Sequence, residues 1–144
     1  MSPAASADVM LMFEWKPIYS VQIREIDAEH QNLFRVAEEL CSAMSTGKGK
    51  VVLSRILDRL LQYTRVHFAH EERLMAASGY PDFASHKAEH EALTRRVETF
   101  LSEFRAGRTA LTVELLQFLK AWLEHHIAGS DQKYAPYLNG RAVA

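Results

Sequence analysis

Apolar residues along this chain recur at alternating steps of three and four, the spacing that puts them on one face of a helix, and three clusters of helix breakers interrupt the pattern. The breakers are "STGKGK" at 45–50, "SGYPD" at 78–82 and "AGRTA" at 106–110. They predict helices at about 28–45, 51–77, 83–105 and 111–128, with Asp27 and Asp82 as N-caps of the first and third. No segment alternates with the period of a strand. Connections this short force neighbouring helices to run antiparallel, so the fold class is all-α, an up-down-up-down four-helix bundle. Ahead of it, "FEWKPIYSVQI" combines Pro17 with several large apolar residues and is expected to form an extended N-terminal arm packed on the bundle. Residues 1–12 read as a flexible extension, 13–138 as the bundle domain and 139–144 as a tail.

The inward stripes carry residues that a helical core ordinarily avoids. The second helix reads Leu53, Leu57, Leu60, Thr64, His67, Glu71, Leu74, and the third reads His86, His90, Leu93, Val97, Phe100, Phe104. The first gives His30, Leu33, Ala37, Leu40, Met44, and the fourth gives Leu111, Leu115, Leu119, Trp122, His126 with one irregular step. His30, His86 and His90 open their helices, whereas His67, Glu71 and His126 close theirs. In an antiparallel bundle those termini meet at one end, so five imidazoles and a carboxylate converge in an apolar-walled chamber. Each such group left without a partner would cost roughly 1–3 kcal/mol.

A single core histidine is ordinarily satisfied by backbone or by a neighbour. Five at one level form a polyhistidine metal site. His70 and His125 flank the stripes and read as surface or supporting residues, although spacing alone leaves open His70 in place of His67 and His125 in place of His126. Five imidazoles exceed the needs of one tetrahedral zinc, and with a carboxylate able to bridge they suit a pair of first-row ions such as iron. Asp131 lies five residues beyond His126. The expectation is that the helix ends at Gly129, letting this carboxylate swing back so that Glu71 and Asp131 bridge two ions.

Composition narrows the partners. The chain has 144 residues, 48% apolar and 24% charged, with 17 Lys and Arg against 18 Asp and Glu. That length suits one domain, and the balanced charge offers no footprint for nucleic acid or an anionic membrane. The start lacks a basic leader, its apolar run is short for a secretory signal, and no stretch reaches the length of a membrane span, so a cytoplasmic location is expected. The single cysteine, Cys41, is expected to be a buried thiol without a function of its own.

From "FEWKPIYSVQIREIDAEH" through "HFAHEERLM", "HKAEH" and "WLEHHIAGSDQKYAPYL", about residues 13–138, the sequence closely resembles the bacterial hemerythrins. A histidine after "EID", then H-x-x-x-E, H-x-x-x-H and H-x-x-x-x-D, match the family's ligand pattern throughout. The resemblance implies a non-heme di-iron centre in which His86, His90 and His126 bind one iron and His30 and His67 the other. Glu71 and Asp131, with an oxo or hydroxo group, bridge them. It thereby selects His67 and His126 over their neighbours. The iron with fewer protein ligands would keep an open position for dioxygen, in a pocket walled by Leu33, Phe68, Trp122, Leu123 and Ile127.

The implied function is reversible dioxygen binding, for carriage, storage or delivery, by a monomer that is not an enzyme and whose recipient is an oxygen-consuming protein. A ferritin-like ferroxidase uses Glu-x-x-His pairs, but the residues three before the histidines are Asp27, Thr64, His67, Phe83, Lys87, Trp122 and Leu123, with no glutamate among them. "HEERL" and "HEALT" lack the second histidine of a zinc protease. A dioxygen or redox sensor would use the same site, but the exposed faces inferred from the stripes show ordinary mixed charge and no recognition surface. Peroxidase activity, nitric oxide and iron handling are further uses such a centre allows. A charge count suggests why binding would be reversible: two carboxylates and a hydroxide leave a ferrous pair less neutralised than four carboxylates would, so the ferric state is less favoured.

Overall fold

The computed structural model describes residues 12–139. The expected flexible extension, save Met12, and the expected tail, save Asn139, lie outside the described residues. An arm with a 3-10 turn at Pro17–Tyr19 leads into α1 (Arg24–Ser45), α2 (Lys50–Ser78), α3 (Phe83–Arg105) and α4 (Val113–His125), and a π turn (His126–Ser130) joins α4 to α5 (Asp131–Leu138). Among the described residues there is no strand, and no helix is long and apolar enough to cross a membrane. The architecture is the up-down-up-down four-helix bundle, with the fourth helix continued through the π turn.

The short loops owe their sharpness to glycine. Gly79 has a φ of 69°, and beyond it Tyr80 N donates to Met75 O at 3.1 Å, turning the chain back within one residue of the helix end. Gly47 and Gly107 close α1 and α3 with the same pattern of backbone bonds.

Three expectations about helix ends need correction. Asp27 does not cap α1, which starts at Arg24; its carboxylate instead accepts from Ser20 Oγ at 2.6 Å and Val21 N at 2.9 Å, tying the arm to the helix. Asp82 does occupy the N-cap position of α3, but its side chain makes no capping hydrogen bond. The fourth helix does not stop at Gly129, whose φ is not among the positive ones. It widens into the π turn, where Asp131 N donates to His126 O.

The arm lies on α1 and α4. Phe13, Tyr19 and Val21 are buried, Trp15 and Tyr19 pack against Phe34, and Tyr19 Oη donates to Glu124 at 3.1 Å. Cys41 is half-buried, and burial raises its thiol above the ordinary value.

Two apolar clusters fill the bundle. The larger runs from Leu40, Leu57 and Leu101 up to Leu33, Phe68, Leu93, Leu123 and Ile127; the smaller holds Val21, Ile26, Met75, Tyr80, Tyr134 and Ala135. The predicted site residues fall between members of the two: Ile26, His30, Leu33 on α1, Phe68, Glu71, Met75 on α2, and His126 and Asp131 between Leu123 of α4 and Tyr134 of α5. The polar residues therefore form a layer with an apolar lid rather than the open end of the bundle.

Candidate metal centre

The described buried polar residues are His30, Thr64, His67, Glu71, His86, His90, His126 and Asp131. Thr64 is satisfied within its own helix, donating to Leu60 O at 2.7 Å. The other seven are the seven predicted ligand positions, and the structure brings all of them together. Their ligand atoms fall in two groups, Glu71, His86, His90, His126 and Asp131 in one and His30, His67 and Glu71 in the other, each with its atoms within 4.8 Å of one another. Glu71 belongs to both.

The carboxylates reach across the division. Asp131 Oδ1 lies 3.0 Å from His86 Nε2 and 3.1 Å from His126 Nε2, while its Oδ2 lies 3.1 Å from His30 Nε2. Glu71 Oε1 lies 3.3 Å from His67 Nε2 and 3.2 Å from His90 Nε2; its Oε2 lies 3.3 Å from His30 Nε2 and accepts from the hydroxyl of Tyr134. The π turn makes this possible. An i to i+5 bond widens the helix so that residues five apart face the same way, bringing His126 and Asp131 together without ending the helix.

Three further glutamates hold the outer nitrogens, and sequence reasoning missed them. His67 Nδ1 pairs with Glu29 Oε1 at 2.6 Å, His90 Nδ1 with Glu72 at 2.9 Å, and His126 Nδ1 with Glu89 at 2.8 Å. Each glutamate adjoins a site residue in sequence but serves the next helix round the bundle, α1 to α2, α2 to α3 and α3 to α4. It precedes the site residue on α1 and α3 and follows it on α2, because reversing a helix reverses the rotation from one residue to the next. The corresponding position beside His126, in the π turn that continues α4, is Ile127, so the ring is broken there and His30 Nδ1 makes no hydrogen bond. A glutamate beside each stripe residue, on the side facing the next helix, was the signal available in the sequence.

The donor set fits metal ions. An ionised carboxylate only accepts, so Nδ1 of His67, His90 and His126 carries the hydrogen, and in the neutral ring Nε2 is a bare lone pair turned inward. His90 Nε2 and His126 Nε2 stand 3.2 Å apart. His86 Nε2, Glu71 Oε1 and both oxygens of Asp131 are buried without a hydrogen bond, despite lying about 3 Å from opposite partners. Lone pairs that converge without donating to one another call for a cation among them. The three outer carboxylates also amend the charge count: the ligand shell is poor in anions, but its surroundings are not.

His70 and His125 are outside both groups. His70 Nδ1 pairs with the second oxygen of Glu29 at 2.7 Å, and His125 is exposed on a shallow groove with Glu124 and Ala128. The predicted pocket residues Leu33, Phe68, Leu123 and Ile127 are buried in the larger cluster, with Trp122 packed against it. Phe68 stacks on His90 with ring centres 3.6 Å apart, and Trp122 stacks on His126 at 4.3 Å.

Ionisation follows from these contacts. Burial disfavours a charged His67 ring, but the carboxylates of Glu71 and Glu29 outweigh it and raise the group from 6.5 to about 10. His30 and His126 are also raised, again against burial, by Asp131 and Glu71. Burial pushes Glu71 and Asp131 up, yet the surrounding histidines bring both below the ordinary carboxylate range. Burial and the two carboxylates raise Tyr134, which stays a hydrogen-bond donor.

A pH prediction follows for the metal-free chain. The raised His67 contributes stability that is present below its unfolded value of 6.5 and is lost as pH rises through about 10. Metal needs the neutral ring, so it competes with that proton. Between those limits, rising pH is expected to lower the melting temperature of the metal-free chain and to increase its affinity for metal, with about one proton from His67 released per chain loaded at neutral pH. Proton release in weakly buffered calorimetry checks this. Metal uptake without proton release would contradict it.

A family model described as the hemerythrin HHE cation binding domain matches residues 21–138. Among curated relatives, a bacteriohemerythrin of Stenotrophomonas maltophilia is 35% identical over 126 residues, covering 88% of this chain and 81% of the relative. A bacteriohemerythrin of Methylococcus capsulatus is 30% identical, covering 90% of this chain and 99% of its own. A crystal structure of wild-type hemerythrin superposes with a TM-score of 0.83 at 31% identity, over 87% of this chain and 96% of the other.

Proposed function

This chain belongs to the hemerythrin family, and from that membership we propose which of its residues hold the di-iron centre and wall its dioxygen pocket. The protein binds dioxygen reversibly at a non-heme di-iron site, for carriage, storage or delivery. His86, His90 and His126 hold one iron, His30 and His67 the other, and Glu71 and Asp131 bridge. The observation that carries this reading is the shared Glu71, which joins a group of three histidines to a group of two. Bound there, an iron pair would supply the electrons that reversible dioxygen binding requires.

The chain's own residues do the rest. Tyr134 donates to Glu71 and fixes one carboxylate oxygen, while Glu29, Glu72 and Glu89 set the tautomers of His67, His90 and His126. Leu33, Phe68, Trp122, Leu123 and Ile127 form the dry wall that keeps water and protons from the pocket. The protein acts as a binder rather than a catalyst, as a cytoplasmic monomer handing dioxygen to an oxygen-consuming protein.

An optical titration tests the reading. Anaerobically reduced, iron-loaded protein is exposed to dioxygen and then deoxygenated, with iron measured on the same sample. The expected result is two irons per chain and a charge-transfer band that appears with dioxygen and disappears on its removal. Irons that oxidise and stay oxidised would point to an oxidase, a peroxidase or a redox sensor.

A further inference from the structure

His70 lies one turn beyond His67 on α2, and both rings reach over to α1. Glu29 receives both: its Oε1 is 2.6 Å from His67 Nδ1 and its Oε2 is 2.7 Å from His70 Nδ1. His67 is buried, whereas the His70 side chain is 26% exposed and that of Glu29 32% exposed. A hydrogen-bonded row thus runs inward from the surface through His70, Glu29 and His67.

We propose that His70 is a positioning residue for the iron with fewer ligands: by engaging one oxygen of Glu29 it holds the other on His67 Nδ1 and so sets how strongly His67 donates. The inference rests on the di-iron reading above. A glutamate at the rim of a bundle has water to turn to, and one hydrogen bond leaves its carboxylate free to swing about that bond. A second donor on the other oxygen removes this freedom. A related arrangement holds the other iron's glutamate, where a single oxygen of Glu89, Oε1, accepts from both His126 Nδ1 and Ser130 Oγ, each at 2.8 Å; at Glu29 the two donors take different oxygens. In both cases the second donor sits on the helical segment of the histidine being supported, about one turn further along.

The need is greatest at His67. Its only partner imidazole in that group is His30, whose outer nitrogen has no acceptor. All carboxylate support for the two histidines of this iron therefore passes through Glu29. An acceptor on the outer nitrogen strengthens the inner one as a ligand, and removing such a partner typically weakens metal binding by about 10–100-fold.

The test uses the full chain loaded with zinc, which is diamagnetic, comparing His70→Leu and His70→Gln with the parent. Metal content, metal affinity and the imidazole nitrogen and proton resonances of His67 are measured on the same samples. In His70→Leu the His67 Nδ1 proton is expected to move upfield and exchange faster with water. Affinity for the second zinc should fall by about tenfold, at the lower end of the outer-partner range. His70→Gln keeps an N–H donor and should restore both. If His70→Leu leaves the resonance and the affinity unchanged while two zinc ions remain bound, Glu29 is held without His70 and the proposal fails, with the di-metal reading intact. If the parent chain does not take up two ions, that reading fails and this proposal with it.

Discussion

Replacing Glu71 with alanine is expected to abolish stoichiometric binding of two irons per chain while leaving the bundle helical. Glu71 is fully buried and its oxygens lie within 3.3 Å of His30, His67 and His90, which come from three helices and from both groups. No other side chain belongs to both. Its loss removes an anion from each ion at once, so affinity should fall by more than the roughly 100-fold that removing an outer partner can cost. The fold has its own reasons to persist, since the larger apolar cluster lies on one side of the polar layer and the smaller on the other. Metal analysis and far-ultraviolet circular dichroism on the same sample check this. Retention of two irons would mean that the bridge is elsewhere, and loss of helix together with iron would mean that Glu71 supports the fold rather than the centre.

What the sequence disclosed, and what it hid, divide along physical lines. The stripes were legible because burying one helical face imposes a period, and His30, His67, Glu71, His86, His90 and His126 stood out by breaking the apolar rule on that period. Asp131 was harder. Five residues is the wrong spacing for one face of an α-helix, and Gly129 suggested an ending. Only a local widening, which leaves no mark in the apolar pattern, puts Asp131 beneath His126. Asp27 misled because a short carboxylate before an apolar run looks like a cap, and its pairing with Ser20 and Val21 depends on where the arm lands. Glu29, Glu72 and Glu89 were passed over for a different reason, although each stands beside a stripe residue. On a single helix they look like solvated charges, and their purpose appears only when the neighbouring helix brings a histidine nitrogen to them.

A polar substitution in the pocket wall should shorten the life of the dioxygen-loaded protein without removing its iron. Leu33 lies one turn inward from His30 on α1, and Leu123 lies one turn inward from His126 on α4; both are buried, at 2% and 7% exposure. Neither offers a donor atom to metal. On the proposed reading their contribution would be exclusion: a leucine there provides nothing for water to bond to, so water and the protons it carries would be kept from the dioxygen pocket. Leu33→Asn or Leu123→Asn gives water a partner next to the site. Each 1.36 kcal/mol taken from the barrier to irreversible oxidation is tenfold in rate, and a buried hydrogen bond to an admitted water is of about that size, so decay should quicken by about tenfold. Leu123→Met serves as the control, since it conserves volume and polarity and should cost less than about 1.5 kcal/mol in stability. The readout is the decay of the charge-transfer band at fixed pH, with iron content measured before and after. An asparagine variant that keeps two irons and decays at the parent rate would remove water exclusion by this wall as the basis of reversibility. The asymmetry of the outer carboxylates, present at His67, His90 and His126 and missing at His30, would then be the remaining structural basis.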